Sequence, residues 1–146
     1  MNAVSVKIKI FAGGIAPRKM SMGAVGYDLF ARLESPIALQ PGMRAAIPAG
    51  FAMEVPEGYE AQIRPRSGLA LNHGLTVLNS PGTIDPDYRG EVTVILANLG
   101  DKPMTISHGD RIAQMVIATA IQSVIEPVEQ LSSSDRDAGG FGSTGK

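Results

Sequence analysis

The segment "RIAQMVIATAIQSVI", residues 111–125, decides the fold because its apolar residues suit either a helix or a strand. A helix would place four of its residues on one face: Ile112, Met115, Val116 and Thr119. The segment is nevertheless rich in β-branched residues, and it follows a turn at Gly109-Asp110. We therefore predict a strand here.

The rest of the chain also favours short strands. Its 17 glycines and 10 prolines leave little room for long helices. In residues 4–10 apolar and polar side chains alternate, which predicts a half-buried strand. Further strand candidates are "YDLFARL" (27–33), "MRAAIPAGFAMEV" (43–55), "YEAQIR" (59–64), "LTVLN" (75–79) and "EVTVILANLG" (91–100).

Only one short stretch is convincingly helical. "SGLALN", residues 67–72, has Ser67 as a possible N-cap and Gly74 soon after it. Many short strands at close spacing, with one such helix, predict an all-β domain of sandwich or barrel type.

The composition changes at the C-terminus. Residues 132–146, "SSSDRDAGGFGSTGK", contain too little apolar surface to order themselves. A chain of 146 residues is most simply one domain. We predict a β-rich body over residues 1–131 and a flexible, glycine-rich tail over residues 132–146.

Composition also excludes several functions. A net charge of −1 and a pI near 6.1 argue against binding to nucleic acid or to a membrane surface. The absence of cysteine excludes disulfides and cysteine-ligated zinc, and His73 and His108 are too few for a histidine-rich metal site. No apolar run approaches the roughly 18 residues that span a bilayer, and the N-terminus has no signal core. A soluble, cytoplasmic protein is the expectation.

The tail nearly spells a phosphate-binding loop. In "GGFGSTGK", residues 139–146, a Ser or Thr after the lysine is missing, as are the flanking strand and helix that such a loop needs. A glycine-rich terminus is usually just a flexible end. However, Arg136 and Phe141 suit a nucleotide, because the ring can stack on a base while backbone N–H groups contact phosphates.

A second candidate anion site is "RPRSGLA", residues 64–70. Arg66 places a guanidinium at the start of the short helix, whose first N–H groups are free. Ser67 adds a hydroxyl, and Gly68 permits close approach to the backbone. An ordinary helix cap with a surface arginine explains the same residues equally well.

The third candidate is a hairpin, "NSPGTIDPDYRGEV", residues 79–92. Asp85 and Asp87 flank Pro86, which is common turn sequence whatever the function. Apolar Ile84 before Asp85 suggests that one carboxylate points inward, where it could act on a water as a general base. Tyr88 places an aromatic ring beside it.

Two further segments carry charged or polar residues inside apolar strands. Asp28 lies in "VGYDLFA" (25–31), and Arg111 and Gln114 lie in "GDRIAQM" (109–115). A buried charge needs a partner or a site, since leaving it bare costs several kcal/mol. For Arg111 we prefer a structural explanation, either an ion pair between Asp28 and Arg111 or polar groups satisfied within the core.

Taken together, the chain resembles the trimeric dUTP pyrophosphatase (dUTPase) family. The resemblance rests on five motifs in the family's order: "AVGYDLFA", "PRSGLA", "GTIDPDYRGE", "GDRIAQM" and "RDAGGFGSTG". It implies a distorted jelly-roll or β-barrel-like fold, assembled as a homotrimer with active sites shared between subunits. It also implies hydrolysis of dUTP to dUMP and pyrophosphate, with Mg²⁺ as cofactor.

The resemblance further implies roles for individual residues. Asp85 would activate the attacking water, Tyr88 would pack on the deoxyribose, and Asn79 would contact the uracil edge. Phe141 would stack on the uracil, and Asp28 would contact a phosphate-bound Mg²⁺ through water. The triphosphate would be bound by Arg66, Ser67, Gly68 and Gln114, and by a lid containing Arg136, Gly142, Ser143 and Thr144.

One residue departs from the family pattern. Asp137 stands where the last motif usually has a glycine, and any effect should fall on lid closure. Three alternatives stay open: a dCTP deaminase of the same fold, a non-catalytic nucleotide-binding module, and a structural jelly-roll protein. The residues "DYRGE" and "RSGLA" and the presence of Asp85 favour the pyrophosphatase.

Overall fold

A computed structural model describes residues 3–145 of the chain. Met1, Asn2 and Lys146, which the predicted body and tail include, lie outside the described residues. The described chain contains these strands and one helix, in order: β1 (Lys7–Ile10), β2 (Tyr27–Phe30), β3 (Ile37–Leu39), β4 (Arg44–Pro48), β5 (Phe51–Glu54), β6 (Tyr59–Arg64), α1 (Ser67–His73), β7 (Leu75–Val77), β8 (Gly82–Ile84), β9 (Thr93–Asn98), β10 (Met104–Ile106) and β11 (Arg111–Thr119).

The strands form small antiparallel sheets. The largest has the order β2-β11-β6-β8, and the next has the order β4-β9-β7. Two antiparallel pairs of strands distant in sequence, β1 with β5 and β3 with β10, complete the architecture. The predicted all-β fold with one short helix is confirmed.

The segment 111–125 is a strand as predicted, but only as far as Thr119. β11 pairs with β2 on one side and β6 on the other, so it is an interior strand of the sheet. Ile112 and Ala113 are both buried, as are Met115 and Val116, so both faces of the strand are covered there and both carry apolar residues. The last backbone bond to the body runs from the Ala120 N–H to the Gly58 carbonyl, at 2.8 Å. Residues 121–131 form no strand or helix and are exposed.

Two strand predictions need correction. Residues 43–55 form two strands rather than one, because Gly50 adopts a left-handed φ of 79° between β4 and β5. β1 begins at Lys7, and its apolar residues Ile8 and Ile10 are 41% and 40% exposed. The predicted half-burial of β1 is wrong for the single chain, because β1 pairs only with β5 and packs weakly on the core.

The core lies between the sheets and is almost entirely apolar. Each fully buried side chain of this size contributes roughly 1.5–3 kcal/mol to folding. The largest of these side chains are Phe51, Leu29, Ile47, Leu75, Leu96, Ile106 and Ile112. Asn98 is the one buried polar residue of the described chain. No helix within residues 3–145 is long and apolar enough to cross a bilayer.

Helix α1 has a different start from the predicted one. Arg66, with φ −95° and ψ 129°, is the N-cap residue, and its carbonyl accepts the Ala70 N–H at 3.0 Å. Ser67 is already helical, so the prediction of Ser67 as N-cap is wrong, and no side-chain hydrogen bond caps the helix. Gly74 ends the helix in the left-handed conformation, at φ 67°.

Candidate active site

A carboxylate and two guanidinium groups meet where β2, β11 and α1 converge. Asp28 Oδ2 lies 3.1 Å from Arg111 Nη1, and Asp28 Oδ1 lies 3.9 Å from Arg66 Nε. The ladder between β2 and β11 brings these groups together, since Asp28 is paired with Gln114 across it. The predicted ion pair between Asp28 and Arg111 is confirmed, and Arg66 joins it.

This cluster suits an anion. Two guanidinium groups share one carboxylate, which leaves one positive charge without a compensating partner in the cluster. Asp28 is the more enclosed group, with its side chain 15% exposed, while that of Arg111 is 44% exposed. The exposed arginine N–H groups can therefore donate charged hydrogen bonds to a phosphate that approaches from solvent.

The start of α1 adds backbone donors beside the cluster. The first N–H groups of a helix have no partner within it, and Ser67 and Gly68 are both exposed there. A Cβ built on Gly68 would meet no atom within 4 Å, so the backbone at this position is open to a ligand. A cavity of about 270 Å³ lies alongside, lined by Arg66, Asp110 and Arg111 among others.

Gln114 ties β11 to the segment before α1. Its Nε2 donates to the Pro65 carbonyl at 3.0 Å, and the same nitrogen carries a second hydrogen for another acceptor. A Cβ on Gly26 would lie 2.4 Å from Gln114 Oε1, so a larger residue here would push this amide out of its position. The sequence did not predict this role of Gly26, although Gly26 lies within the motif "AVGYDLFA".

The turn that follows β8 carries the two aspartates. The predicted hairpin is wrong as a pair of neighbouring strands, because β8 pairs with β6 while the next strand, β9, pairs with β4 and β7 in another sheet. The name hairpin is kept below for residues 79–91. Gly82 and Ile84 are buried while Thr83 and Asp85 are exposed, as alternation along a strand requires. Asp87 is exposed as well, so the predicted inward-pointing carboxylate is wrong in the single chain. A turn bond from the Tyr88 N–H to the Asp85 carbonyl, 3.2 Å long, closes the hairpin.

Tyr88 is fixed from two sides. Its hydroxyl donates to the Glu91 carbonyl at 2.9 Å. Its ring lies over Gly90, where a Cβ would approach the hydroxyl oxygen to 2.4 Å. Arg32 in turn binds the carboxylate of Glu91. The sequence did not predict this pair, and its only visible sign is Glu91 in the "RGE" that follows Tyr88.

Asn79 lies at the entry to β8. It is exposed, and its Nδ2 lies 3.4 Å from the position that a Cβ on Gly82 would take. The side-chain amide therefore sits on the same hairpin as Asp85 and Tyr88. These three residues form a group separate from the arginine cluster.

Within residues 132–145, the tail makes local hydrogen bonds. Arg136 Nε donates to the Gly139 carbonyl at 2.6 Å, and the Ser143 N–H donates to Gly140 at 3.1 Å. Phe141 is fully exposed, as are Gly142 and Thr144. Asp137 has a φ of 43° and exchanges hydrogen bonds with Ser134, at 2.7 and 3.0 Å.

The hairpin and the arginine cluster lie at opposite ends of β6. Ile84 pairs with Ala61 near the beginning of β6, and Asp85 lies one residue beyond that pair. Arg66 follows the other end of β6 in an extended conformation. Six residues of extended chain span about 20 Å, so one chain does not bring Asp85 and Arg66 together.

Residues 3–145 contain no group of three or more His, Asp or Glu side chains arranged to hold a metal ion. Asp28 is the carboxylate that pairs with both Arg66 and Arg111. An ion at this position would need most of its ligands from elsewhere, as Mg²⁺ does when it is carried by a triphosphate and water.

Comparison with known proteins supplies the family. The dUTPase family model matches residues 13–145. The deoxyuridine 5'-triphosphate nucleotidohydrolase of Bdellovibrio bacteriovorus is 53% identical over 148 residues, which cover 100% of this chain and 99% of that protein. The relative of this name in Syntrophotalea carbinolica is 49% identical over 146 residues, which cover 99% of each chain.

A solved structure has the same fold. A variant dUTPase of Staphylococcus bacteriophage 80alpha, with dUpNHpp, matches with a TM-score of 0.87 at 25% identity, covering 99% of this chain and 100% of that one. The family match takes in all five motifs, and the relatives match over the whole chain. The chain belongs to the dUTPase family.

Proposed function

We propose that this chain hydrolyses dUTP to dUMP and pyrophosphate, and so removes dUTP from the nucleotide pool in the cytoplasm and supplies dUMP for thymidylate synthesis. The observation that carries the proposal is full-length similarity, at about half of all positions, to proteins named deoxyuridine 5'-triphosphate nucleotidohydrolase. The arginine cluster and the hairpin supply the chemistry that this reaction needs.

Asp85 is the proposed general base. Its carboxylate oxygens accept no hydrogen bond from the described residues, so they can accept one from a water. Asp85 takes the proton as the water oxygen bonds to the α-phosphorus. The bond from this phosphorus to the oxygen that bridges the α- and β-phosphates breaks, and pyrophosphate leaves with that oxygen.

The arginine cluster is the proposed triphosphate site. Arg66 contributes a guanidinium, and Ser67 and Gly68 contribute backbone N–H groups and a hydroxyl. Gln114 has one amide hydrogen free after its bond to Pro65. These donors neutralise and orient the phosphates, and positioning of this kind accounts for most of the catalysis of phosphoryl transfer.

Residues on the hairpin and the tail select the nucleoside. Tyr88 packs against the deoxyribose and leaves no room for a 2′-hydroxyl, and Asn79 contacts the uracil edge. Uracil presents an acceptor where cytosine presents an amino group, and unpaired buried groups discriminate by roughly 10⁴ in favourable cases. The tail, residues 132–146, closes as a lid that stacks Phe141 on the base and brings the remaining donors to the phosphates, namely Arg136, Gly142, Ser143 and Thr144.

Magnesium fits this site as an ion carried by the substrate. Among the described carboxylates, Asp28 is the one that pairs with the arginine cluster, and both of its oxygens face arginines. Asp28 would hold the ion through water, while the triphosphate supplies the direct ligands. When bound, the ion would neutralise charge on the phosphates.

We also propose a homotrimer whose active sites combine residues of different subunits. Support comes from the distance of roughly 20 Å between Asp85 and Arg66. One bound triphosphate is too short to place its α-phosphorus beside Asp85 and its other phosphates beside Arg66 of the same chain. A second copy can place its hairpin beside the arginine cluster of the first.

Exposed apolar surface supports the same assembly. Beyond β11, segment 120–131 exposes Ile121, Val124, Ile125, Val128 and Leu131. An apolar groove of about 750 Å³ runs along β1 and β11 and includes Val6, Ile8, Met115 and Ile117. Apolar patches of this extent are usually covered in an assembly.

The first test measures pyrophosphate release from dUTP, dCTP, dTTP and UTP in parallel, with Mg²⁺ and then with EDTA. We expect fast release from dUTP alone, and a strong loss in EDTA. Ammonia release from dCTP would instead identify a deaminase. No product from any of the four would leave a binding module or a structural protein.

A further inference from the structure

We propose that Arg32 is a positioning residue for nucleoside selection, acting on Tyr88 through Glu91. The inference rests on the proposed function, since it takes the Tyr88 ring as the surface that meets the sugar. Arg32 does not contact Tyr88 directly; it acts by fixing the stretch of backbone to which the tyrosine hydroxyl is bound.

The first link is a two-point ion pair. Arg32 Nε donates to Glu91 Oε1 at 2.8 Å, and Arg32 Nη2 donates to Glu91 Oε2 at 2.9 Å. The side chains are 35% and 21% exposed, so water screens the pair only in part. Two parallel hydrogen bonds of this kind fix the orientation of the carboxylate as well as its distance from the guanidinium.

The second link runs from Glu91 to Tyr88. The carbonyl oxygen of Glu91 accepts the Tyr88 hydroxyl at 2.9 Å. Between the two residues, the Gly90 backbone lies under one face of the tyrosine ring, so close that a Cβ there would meet the ring. The ring is 44% exposed, so the hydroxyl bond is its main restraint on the open side of the hairpin.

Arg32 itself is anchored to the body of the protein. Its backbone N–H donates to the carbonyl of Pro48, the last residue of β4, at 2.8 Å. A Cβ on Gly50 would lie 3.2 Å from Arg32 Cδ, so the aliphatic part of the arginine packs directly on the Gly50 backbone. The ion pair therefore ties an exposed hairpin to a fixed point near the core.

The consequence concerns selectivity more than folding. If the Glu91 backbone shifts, the Tyr88 ring loses its fixed distance from the sugar and admits a 2′-hydroxyl more readily. Loss of the ion pair should thus lower the ratio of kcat/KM for dUTP to kcat/KM for UTP, because UTP gains while dUTP loses. A purely structural role would lower both values by the same factor.

The experiment is a double-mutant cycle between Arg32→Met and Tyr88→Phe, with the dUTP-to-UTP ratio as readout. We expect each single substitution to lower the ratio roughly fivefold. Because both act on one chain of contacts, we expect the double variant to show about the same fivefold loss rather than roughly 25-fold. Arg32→Lys keeps the positive charge but cannot make both hydrogen bonds, so its dUTP-to-UTP ratio should lie between those of Arg32→Met and the wild type. Arg32→Lys replaces Arg32→Met in the experiment if Arg32→Met does not fold.

Lys7→Met is the matched control. It breaks the exposed pair between Lys7 and Glu54, 3.8 Å long, on β1 and β5. Alone, Lys7→Met should leave the dUTP-to-UTP ratio unchanged. Combined with Tyr88→Phe, its effect should simply multiply that of Tyr88→Phe. An unchanged ratio in Arg32→Met, or independent effects in the double variant, would overturn the inference while the wild-type chain still hydrolyses dUTP. A wild-type chain without dUTP turnover would overturn the proposed function and this inference with it.

Discussion

Replacing Asn98 by aspartate should lower the free energy of unfolding by about 5 kcal/mol at pH 7, because one amide nitrogen joins two segments of the chain. Asn98 is 0% exposed. Its Nδ2 donates to the Leu39 carbonyl and to the Lys102 carbonyl, each at 2.8 Å. The substitution exchanges this nitrogen for an oxygen of similar size that has no hydrogen to donate.

The magnitude follows from the protonation of the introduced carboxyl. An ionised oxygen would face two carbonyl oxygens, so the folded chain takes up a proton and donates it to one of them. Keeping a carboxyl of ordinary pKa protonated at pH 7 costs about 4 kcal/mol, at about 1.4 kcal/mol per pH unit. The second carbonyl loses its bond, which adds about 1 kcal/mol.

The pH dependence has a definite sign. The folded state raises the pKa of the introduced carboxyl above its unfolded value, so it binds the proton more tightly than the unfolded chain does. The loss of stability therefore grows as the pH rises above about 4, from about 2.5 kcal/mol at pH 5 to about 5 kcal/mol at pH 7. The hydrogen bond from the Gly100 N–H to Oδ1, at 2.9 Å, is unaffected by the change.

Urea unfolding at pH 5 and pH 7 measures this difference, at one fixed chain concentration because the proposed assembly would make stability depend on concentration. Asn72→Asp is the control, since Asn72 is exposed on α1, and it should change stability by about 0.5 kcal/mol or less. A loss below 1 kcal/mol for Asn98→Asp, or one independent of pH, would refute the reasoning. Asn98→Asp should also disturb the candidate active site, because the N–H of the neighbouring Leu99 donates to the Gly74 carbonyl at 2.8 Å and so supports the end of α1.

Three further outcomes are expected for the site. Asp85→Asn should lower kcat by roughly 10³ while dUTP still binds, and unchanged turnover would exclude the general-base role. Removal of residues 132–146 should lower kcat/KM by roughly 10² or more without moving the melting temperature; a large fall in melting temperature would mean that the tail supports the fold. Gly26→Ala would place a Cβ 2.4 Å from Gln114 Oε1, displace the bond to Pro65 and raise KM for dUTP roughly tenfold; an unaltered KM would argue against Gln114 as a ligand of the substrate.

Much of the fold follows from local sequence. β-branched residues and turn chemistry predict β11, and the same reasoning predicts α1 and its end near Gly74, because these preferences act over a few residues. The pair between Asp28 and Arg111 is predictable because a charge within an apolar strand needs a partner. The five motifs place the chain in its family for the same reason: each is a contiguous stretch.

The sequence does not reveal which way a side chain points when the answer depends on distant elements. Ile84 before Asp85 suggests an inward carboxylate, yet strand alternation turns Asp85 outward once Ile84 packs into the core. The exposure of β1 is equally invisible, since it depends on which strands lie beside it and which do not.

The sequence by itself determined the small all-β fold, the motifs that carry the family and the candidate residues on them. Tertiary structure alone decided that Arg32 and Glu91, 59 positions apart, meet as an ion pair, and that Asp85 and Arg66 lie at opposite ends of β6. The physical reason is that composition and spacing act along the chain, whereas the partners of a charge are chosen by sheet topology. Contacts between residues far apart in sequence exist only after the core has closed.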